Sequence, residues 1–287
     1  KIIPPEARGT FFGLQGAVAN LLISFAAVGA GYLLKWYEAP LNFAVCFLLA
    51  CFFFTISWVS LALTREPADH AKVIDPNPAP FWHGAARILK RDRNFDWFLT
   101  SRILSQFATM GFAFYIVYAL RRFNMDAVTA GYFTATLTIA QTVANAGMGW
   151  LGDRVGHRLM LIIGAACAIL SSALAWFAPS LAWFFPIFAL TGFSNVAIWT
   201  NGMTMTVDFS GESERPFYIG LAQTLTAPAS ILAPLLGGRI ADTLGFAATF
   251  GWSAMLSVVM LGILVFLVKE PRKLGRFAHP APQQEAV

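Results

Sequence analysis

The ten residues GWLGDRVGHR, positions 149 to 158, concentrate polar chemistry in a chain that is otherwise 57% hydrophobic. Gly149, Asp153, Arg154, Gly156 and Arg158 set one carboxylate among cations on a glycine-punctuated turn, and His157 adds a titratable ring. This set suits electrostatic docking. Gly152 and Gly156 let a chain reverse within a few residues, and a carboxylate is attracted to a helix start, where orphan N–H groups carry about half a positive charge. The plainer role is a short loop held on one side of a membrane by its cations. Covalent chemistry finds no footing: there is no HExxH, no GxSxG and no GxxxxGK[ST] nucleotide loop. The chain is therefore expected not to be an enzyme, and to carry no cofactor and no metal.

The remaining polar residues fall into stripes at helical spacing. Thr134, Thr138, Gln141, Asn145 and Gly149 follow one another three or four apart, as do Gly13, Gly16, Asn20, Ser24, Ala27 and Gly31. Further stripes are Arg102, Gln106 and Thr109; Asn195, Trp199, Gly202 and Thr206; Asn201, Thr204 and Asp208; and Gln223, Thr226 and Ser230. Amides are costly in hydrocarbon without a partner or water. Gln141, Asn145 and Asn201, with Asn20, Gln106, Asn195 and Gln223, are thus candidates for lining a solute path. The glycines near Asn20 suit close helix packing instead. Arg102 is the only charge inside an apolar run, a functional candidate by default. It lies six residues from Asp96, about 9 Å along a helix. Its side chain either snorkels or pairs there, or faces an anionic group on a solute.

The elements that hold these stripes are membrane spans. Only 12% of the 287 residues are charged and 15% are aromatic, outside the range of an ordinary soluble domain. Runs of about 20 apolar residues, enough to cross a ~30 Å core, are expected at 10–34, 41–63, 97–120, 127–152, 159–178, 183–207, 216–238 and 245–268, eight helices in all. A barrel is excluded by stretches such as Cys46 to Phe54, which do not alternate. Fifteen of the twenty Lys and Arg fall in one set of loops and only Lys35, Arg121, Arg122 and Arg239 in the other, which puts both termini and the Asp153 loop in the cytoplasm. The net charge of +5 is then topology and predicts no nucleic-acid partner. Cys46, Cys51 and Cys167 lie within spans, so no disulfide framework is expected.

Two matches reveal a repeat. EARGTFFGL near the start and ESERPFYIGL near the end place Gly13 and Gly220 207 residues apart; Arg65-Glu66-Pro67 and Lys269-Glu270-Pro271 stand 204 apart. Each pair brackets two spans, which argues for a six-helix unit duplicated in parallel. Only the last two helices of the first copy are then present. The missing four should begin about 110 residues before Lys1.

With G-x-L-x-D-R-x-G-x-R joining the second and third helices of a six-helix repeat, the chain resembles the major facilitator superfamily, whose signature loop stands at this place in each half. His157 departs from the pattern, where a basic residue is usual. The resemblance implies an all-α membrane fold: eight transmembrane helices, two from the N-terminal and six from the C-terminal bundle. Residues 1–67 would be the last two helices of the first bundle, 68–95 a cytoplasmic linker, 96–271 the second bundle and 272–287 a disordered tail. It also implies a transporter working by alternating access on a small-molecule substrate, in a lipid bilayer expected to be the bacterial inner membrane. Asp153 would latch onto the start of the first span near Arg8 to Thr10, with Arg154 or Arg158 free to meet Glu6. The second, fifth and eighth spans would face lipid and the others the central cavity.

What drives transport is not written in these spans. No Asp or Glu lies deep in any of them, and His70, His83, His157 and His279 all fall in loops or tails. A coupling ion such as H+ would need its site in the absent helices, or the protein would be a uniporter. In the linker, FWHGAARILKRDR reads as an interfacial amphipathic helix or as a simple hinge. A noncatalytic receptor or scaffold of transporter ancestry, or a fragment unable to transport, is the alternative to transport.

Overall fold

The computed structural model describes residues 8–64, 81–210 and 214–271. It is built of helices: α1 Arg8–Trp36, α2 Leu41–Ala62, α3 Phe81–Arg91, α4 Arg93–Ala108, α5 Tyr115–Phe123, α6 Ala127–Val155, α7 His157–Phe177, α8 Phe184–Val196, α9 Gly202–Asp208, α10 Arg215–Leu244 and α11 Phe246–Phe266. Seven of the eight expected spans are long and apolar enough to cross a membrane. The eighth, α6, is an unbroken helix of 29 residues. Its Thr, Gln and Asn stripe leaves it short of that apolarity, so the count by composition is seven.

Two spans are composite. A 3-10 turn, Met110–Phe114, joins α4 to α5, where the Gly111 N–H donates to Ser253 Oγ at 2.9 Å. A π-helical segment, Ala197–Asn201, joins α8 to α9. Helix ends follow local chemistry. Asp92 caps α4 by accepting from the N–H groups of Asn94 and Phe95, and Asp126 caps α6 through Thr129. Gly156 and Gly245, at φ 110° and 88°, close α6 and α10 in a backbone region that residues with a Cβ rarely adopt.

The core of the bundle from α4 to α11 is aromatic at both ends. Near Gly156 it holds Phe95, Phe98, Phe209 and Tyr218, with Phe95 and Tyr218 ring centres 4.6 Å apart. At the other end Tyr115, Tyr118, Phe133, Phe184, Phe188 and Phe250 pack together, Phe133 and Phe188 stacked at 5.2 Å. Helix α3 lies on this bundle through buried Ala85 and Ile88, and leaves Arg87 and Lys90 exposed. Helices α1 and α2 stand outside it, α1 packed along α6 and α2 with only Asn42 buried.

Candidate functional site

At the loop end of α6, the turn at Gly156 is forced by its neighbours as well as by its backbone. A Cβ there would collide with the Glu270 carboxylate. Glu270 Oε2 accepts from the Arg158 N–H at 2.9 Å, which sets a buried carboxylate at the start of α7. In return, Arg158 donates through Nε to Leu264 O at 2.8 Å and through Nη2 to Val265 O at 2.6 Å. Each helix end thus receives the charge that its dipole favours. Arg158, expected to be free to meet Glu6, is instead engaged with the last turn of α11. Glu6 itself lies outside the described residues.

His157, only 3% exposed, joins the same cluster. Its Nδ1 stands 2.9 Å from Asp208 Oδ2 and its Nε2 3.9 Å from Asp153 Oδ1. The ring packs so closely on Gly152 that a Cβ there would come within 3.0 Å of it. Arg154 stacks over Trp150 at 4.0 Å. Asp153 projects outward, its side chain 75% exposed.

Along its length α6 meets α1 in an antiparallel seam. Gly31 would put a Cβ 2.7 Å from Ala127 O, and Gly131 one 2.6 Å from Ala27 O, so the two backbones touch at reciprocal positions. Ser24 and Thr138 share a 2.5 Å hydroxyl hydrogen bond, Tyr32 and Tyr132 one at 2.9 Å. Lys35 and Asp126 close the far rim at 3.8 Å. Hydrogen bonds from the Thr129 hydroxyl and N–H, with Lys35 adding its charge, hold the Asp126 carboxyl below its ordinary range.

The residues predicted to line a path separate into two groups. Asn145 and Gln223 are exposed and Gln141 half-buried; Thr200, which the sequence pattern did not single out, is exposed as well. Gln141, Asn145 and Thr200 form a row across α6 and the π segment, while the Gln223 amide, on α10, stands 4.0 Å from Met203 Sδ. Asn145 Nδ2 donates to Gln141 O at 2.9 Å, and Thr200 Oγ1 donates to Asn145 Oδ1 at 3.3 Å. Trp199 stands beside them, 54% exposed. Gly149 continues the row with open space where a Cβ would go. Arg102, Gln106 and Asn201 are buried, 5%, 9% and 2% exposed, inside the bundle rather than on this row. Asn201 reaches Val196 O at 3.4 Å, a carbonyl at the edge of the π segment. Asn195 and Asn20 are half-buried.

Glu270 and Ser24 have roles that the sequence pattern did not assign to them. The signal for Glu270 was the repeated Glu-Pro after a cation at the close of each hairpin. For Ser24 it was membership of the stripe assigned to packing.

Membrane-length helices and a charged turn that caps two helix ends define a multi-pass helical membrane protein. The sequence pattern of the Major Facilitator Superfamily matches residues 98–286, and the chain belongs to that family. It is 30% identical over 152 residues to the vesicular acetylcholine transporter unc-17 of Caenorhabditis elegans, a match covering 52% of this chain and 28% of that protein. It is 29% identical over 148 residues to the MFS-type transporter ppzB of Metarhizium majus (strain ARSEF 297), covering 52% and 32%. The matches thus span about a third of these relatives' own length. Among solved structures, the fold is shared with the Major Facilitator Superfamily transporter FucP in the outward conformation, at TM-score 0.55 and 15% identity, over 79% of this chain and 55% of that one.

Proposed function

We propose that this chain forms part of a secondary transporter that carries a small solute across a bilayer by alternating access. Residues 1–67 would belong to one bundle and 96–271 to the other, joined by the 68–95 linker, in a bacterial inner membrane with the Asp153 loop in the cytoplasm. The observation that carries the reading is the seam between α1 and α6: small residues and hydroxyls let two long helices from different repeats touch without interlocking. Its antiparallel register, extended past Ser24 and Thr138, brings the first turn of α1 toward the Asp153 end of α6. A carboxylate at a helix start is favourable, so Asp153 would latch that end shut.

The solute would be recognised by the row Gln141, Asn145 and Thr200, together with Gln223 of α10, through amide and hydroxyl hydrogen bonds beside the Trp199 indole. Acetylcholine is the first compound to try, since relatives bear that name and an exposed Trp face attracts quaternary ammonium. Coupling to a proton gradient is read in the same assay by varying internal and external pH. The experiment is uptake into vesicles holding the reconstituted protein, with Asn145→Cys labelled by an impermeant maleimide. Labelling that solute suppresses, together with a loss of uptake of about tenfold in Gln141→Ala, supports the row as the path. Full uptake in Gln141→Ala and labelling indifferent to solute would remove it.

A further inference from the structure

The sequence pattern places His157 in a loop, yet in the fold its ring is enclosed where α6, α7 and α9 meet, and a carboxylate faces each of its two nitrogens. Asp208 Oδ2 lies 2.9 Å from Nδ1, and Asp153 Oδ1 lies 3.9 Å from Nε2. A neutral imidazole carries one N–H and one lone pair, so it can satisfy only one of the two carboxylates. The 2.9 Å contact takes the N–H, because a lone pair there would meet a carboxylate oxygen with no proton between them. Nε2 is then the proton acceptor of the ring, and it is turned toward Asp153.

We propose that His157 Nε2 is a proton-binding site, and that the proton it takes draws Asp153 away from the start of α1 and opens that end of the seam. The inference rests on the latch read for Asp153 above. While Nε2 is unprotonated, its lone pair has nothing to offer a carboxylate, and Asp153 is left to the helix start. Once protonated, the ring is a cation that donates to both carboxylates, and a charge-assisted hydrogen bond outweighs the pull of a helix start. The Asp153 side chain, 75% exposed, has room to swing, and it gives the proton a path from water to the enclosed ring. Histidine is the side chain whose charge changes near neutral pH, so the position can answer to a proton where lysine or arginine could not. The other charges nearby are engaged or outweighed. Helix α7 packs on α6, α8, α9, α11 and the π segment; α8, α11 and the π segment carry no charged residue. On α6, Arg154 stacks over Trp150. Arg158 is turned to the α11 carbonyls, and Glu270, just beyond α11, accepts from its N–H. Arg102 of α4 comes as near as Gly202, one cation against the two carboxylates.

The test places a spin label at Gly149→Cys, one turn from Asp153 and with open space at its Cβ, in reconstituted protein whose Cys46, Cys51 and Cys167 are changed to alanine. Collision of the label with a water-soluble nickel chelate reads access from the Asp153 side. Lowering the pH from about 8 to about 5 should raise access by about fivefold. His157→Arg, permanently charged, should show the high value at both pH values, and His157→Gln the low one. Nitrogen NMR should find the His157 ring protonated at Nδ1 alone at the higher pH and at both nitrogens at the lower. Access that ignores pH would overturn the proposal, as would a pH response surviving in His157→Gln or a ring whose protonation does not change. If the His157 variants do not fold, Asp153→Asn, altered at an exposed side chain, decides: it should abolish the pH response, and a response that persists there rules the mechanism out. Failure of the transport reading is a separate result, namely no uptake at any pH while ring and label still respond.

Discussion

Helix α6 is held in two unlike ways. Among the described side chains, its contacts along α1 are glycine against backbone and hydroxyl against hydroxyl, with an ion pair at the exposed Lys35–Asp126 rim. At Gly156 it is joined to α7, α9 and α11 through Glu270 and Arg158, charges that cap helix ends, and through the hydrogen bond between His157 and Asp208. Small-residue packing in a membrane is close but not directional. Charge-assisted hydrogen bonds are directional and strong. The difference teaches where motion is permitted: the bundle from α4 to α11 is fastened to itself, while the α1 seam allows one helix to roll or tilt on another.

Breaking the fastened side should have the largest effect on stability. Gly156→Val places a Cβ in a left-handed backbone, about 1–2 kcal/mol, and displaces the carboxylate that caps α7, about as much again. A fall of about 10 °C in the unfolding midpoint is expected, whereas Gly149→Ala, with open space at its Cβ, should leave the midpoint in place. Equal midpoints for the two variants would mean that the cap fastens nothing. The seam should respond differently. In Gly131→Leu the obstacle is Ala27 backbone, which cannot step aside, so the helices must part by about 1 Å. Such a displacement can cost a hundredfold in rate. Transport should fall by about that factor with membrane levels unchanged; a normal rate would show that the seam need not close.

Much of this arrangement is legible in the order of the residues. The apolar runs mark the spans, because a bilayer allows little besides helices and fixes their length. Gly156 can be read as a turn since only one kind of residue tolerates that backbone. The partners of the turn cannot. Arg158 and Glu270 are 112 positions apart, and local pattern carries no information on which helix ends meet. Periodicity places Arg102 and Gln141 alike on polar stripes, yet one faces the bundle interior and the other an open row. A stripe shows which residues share a face and is silent on what that face meets. Composition also overstates the regularity of α8 and α9, since the π segment between them has no signal in Ala197-Ile198-Trp199-Thr200-Asn201.

Two further changes sharpen the contrast. Asp153→Asn keeps the shape of the side chain but removes the charge available to the start of α1, and should lower transport about tenfold, near 1.4 kcal/mol, with the midpoint little altered. An unchanged rate would remove the latch. Asp126→Ala tests the rim and should be the mildest, about 1–3 °C. Its carboxyl is held below the ordinary value of 3.8 chiefly by Thr129 and also by Lys35, so the folded form binds its proton less readily than the unfolded form. The stabilisation is therefore complete above that ordinary value and fades as pH falls through the lower folded one. The midpoint difference between Asp126→Ala and the unaltered protein should hold steady from neutral pH down to the ordinary value of 3.8 and shrink below it as pH falls through the lower folded value. A difference that persists in stronger acid would trace the effect to packing, and the Lys35–Asp126 rim would then hold the seam by contact and not by charge.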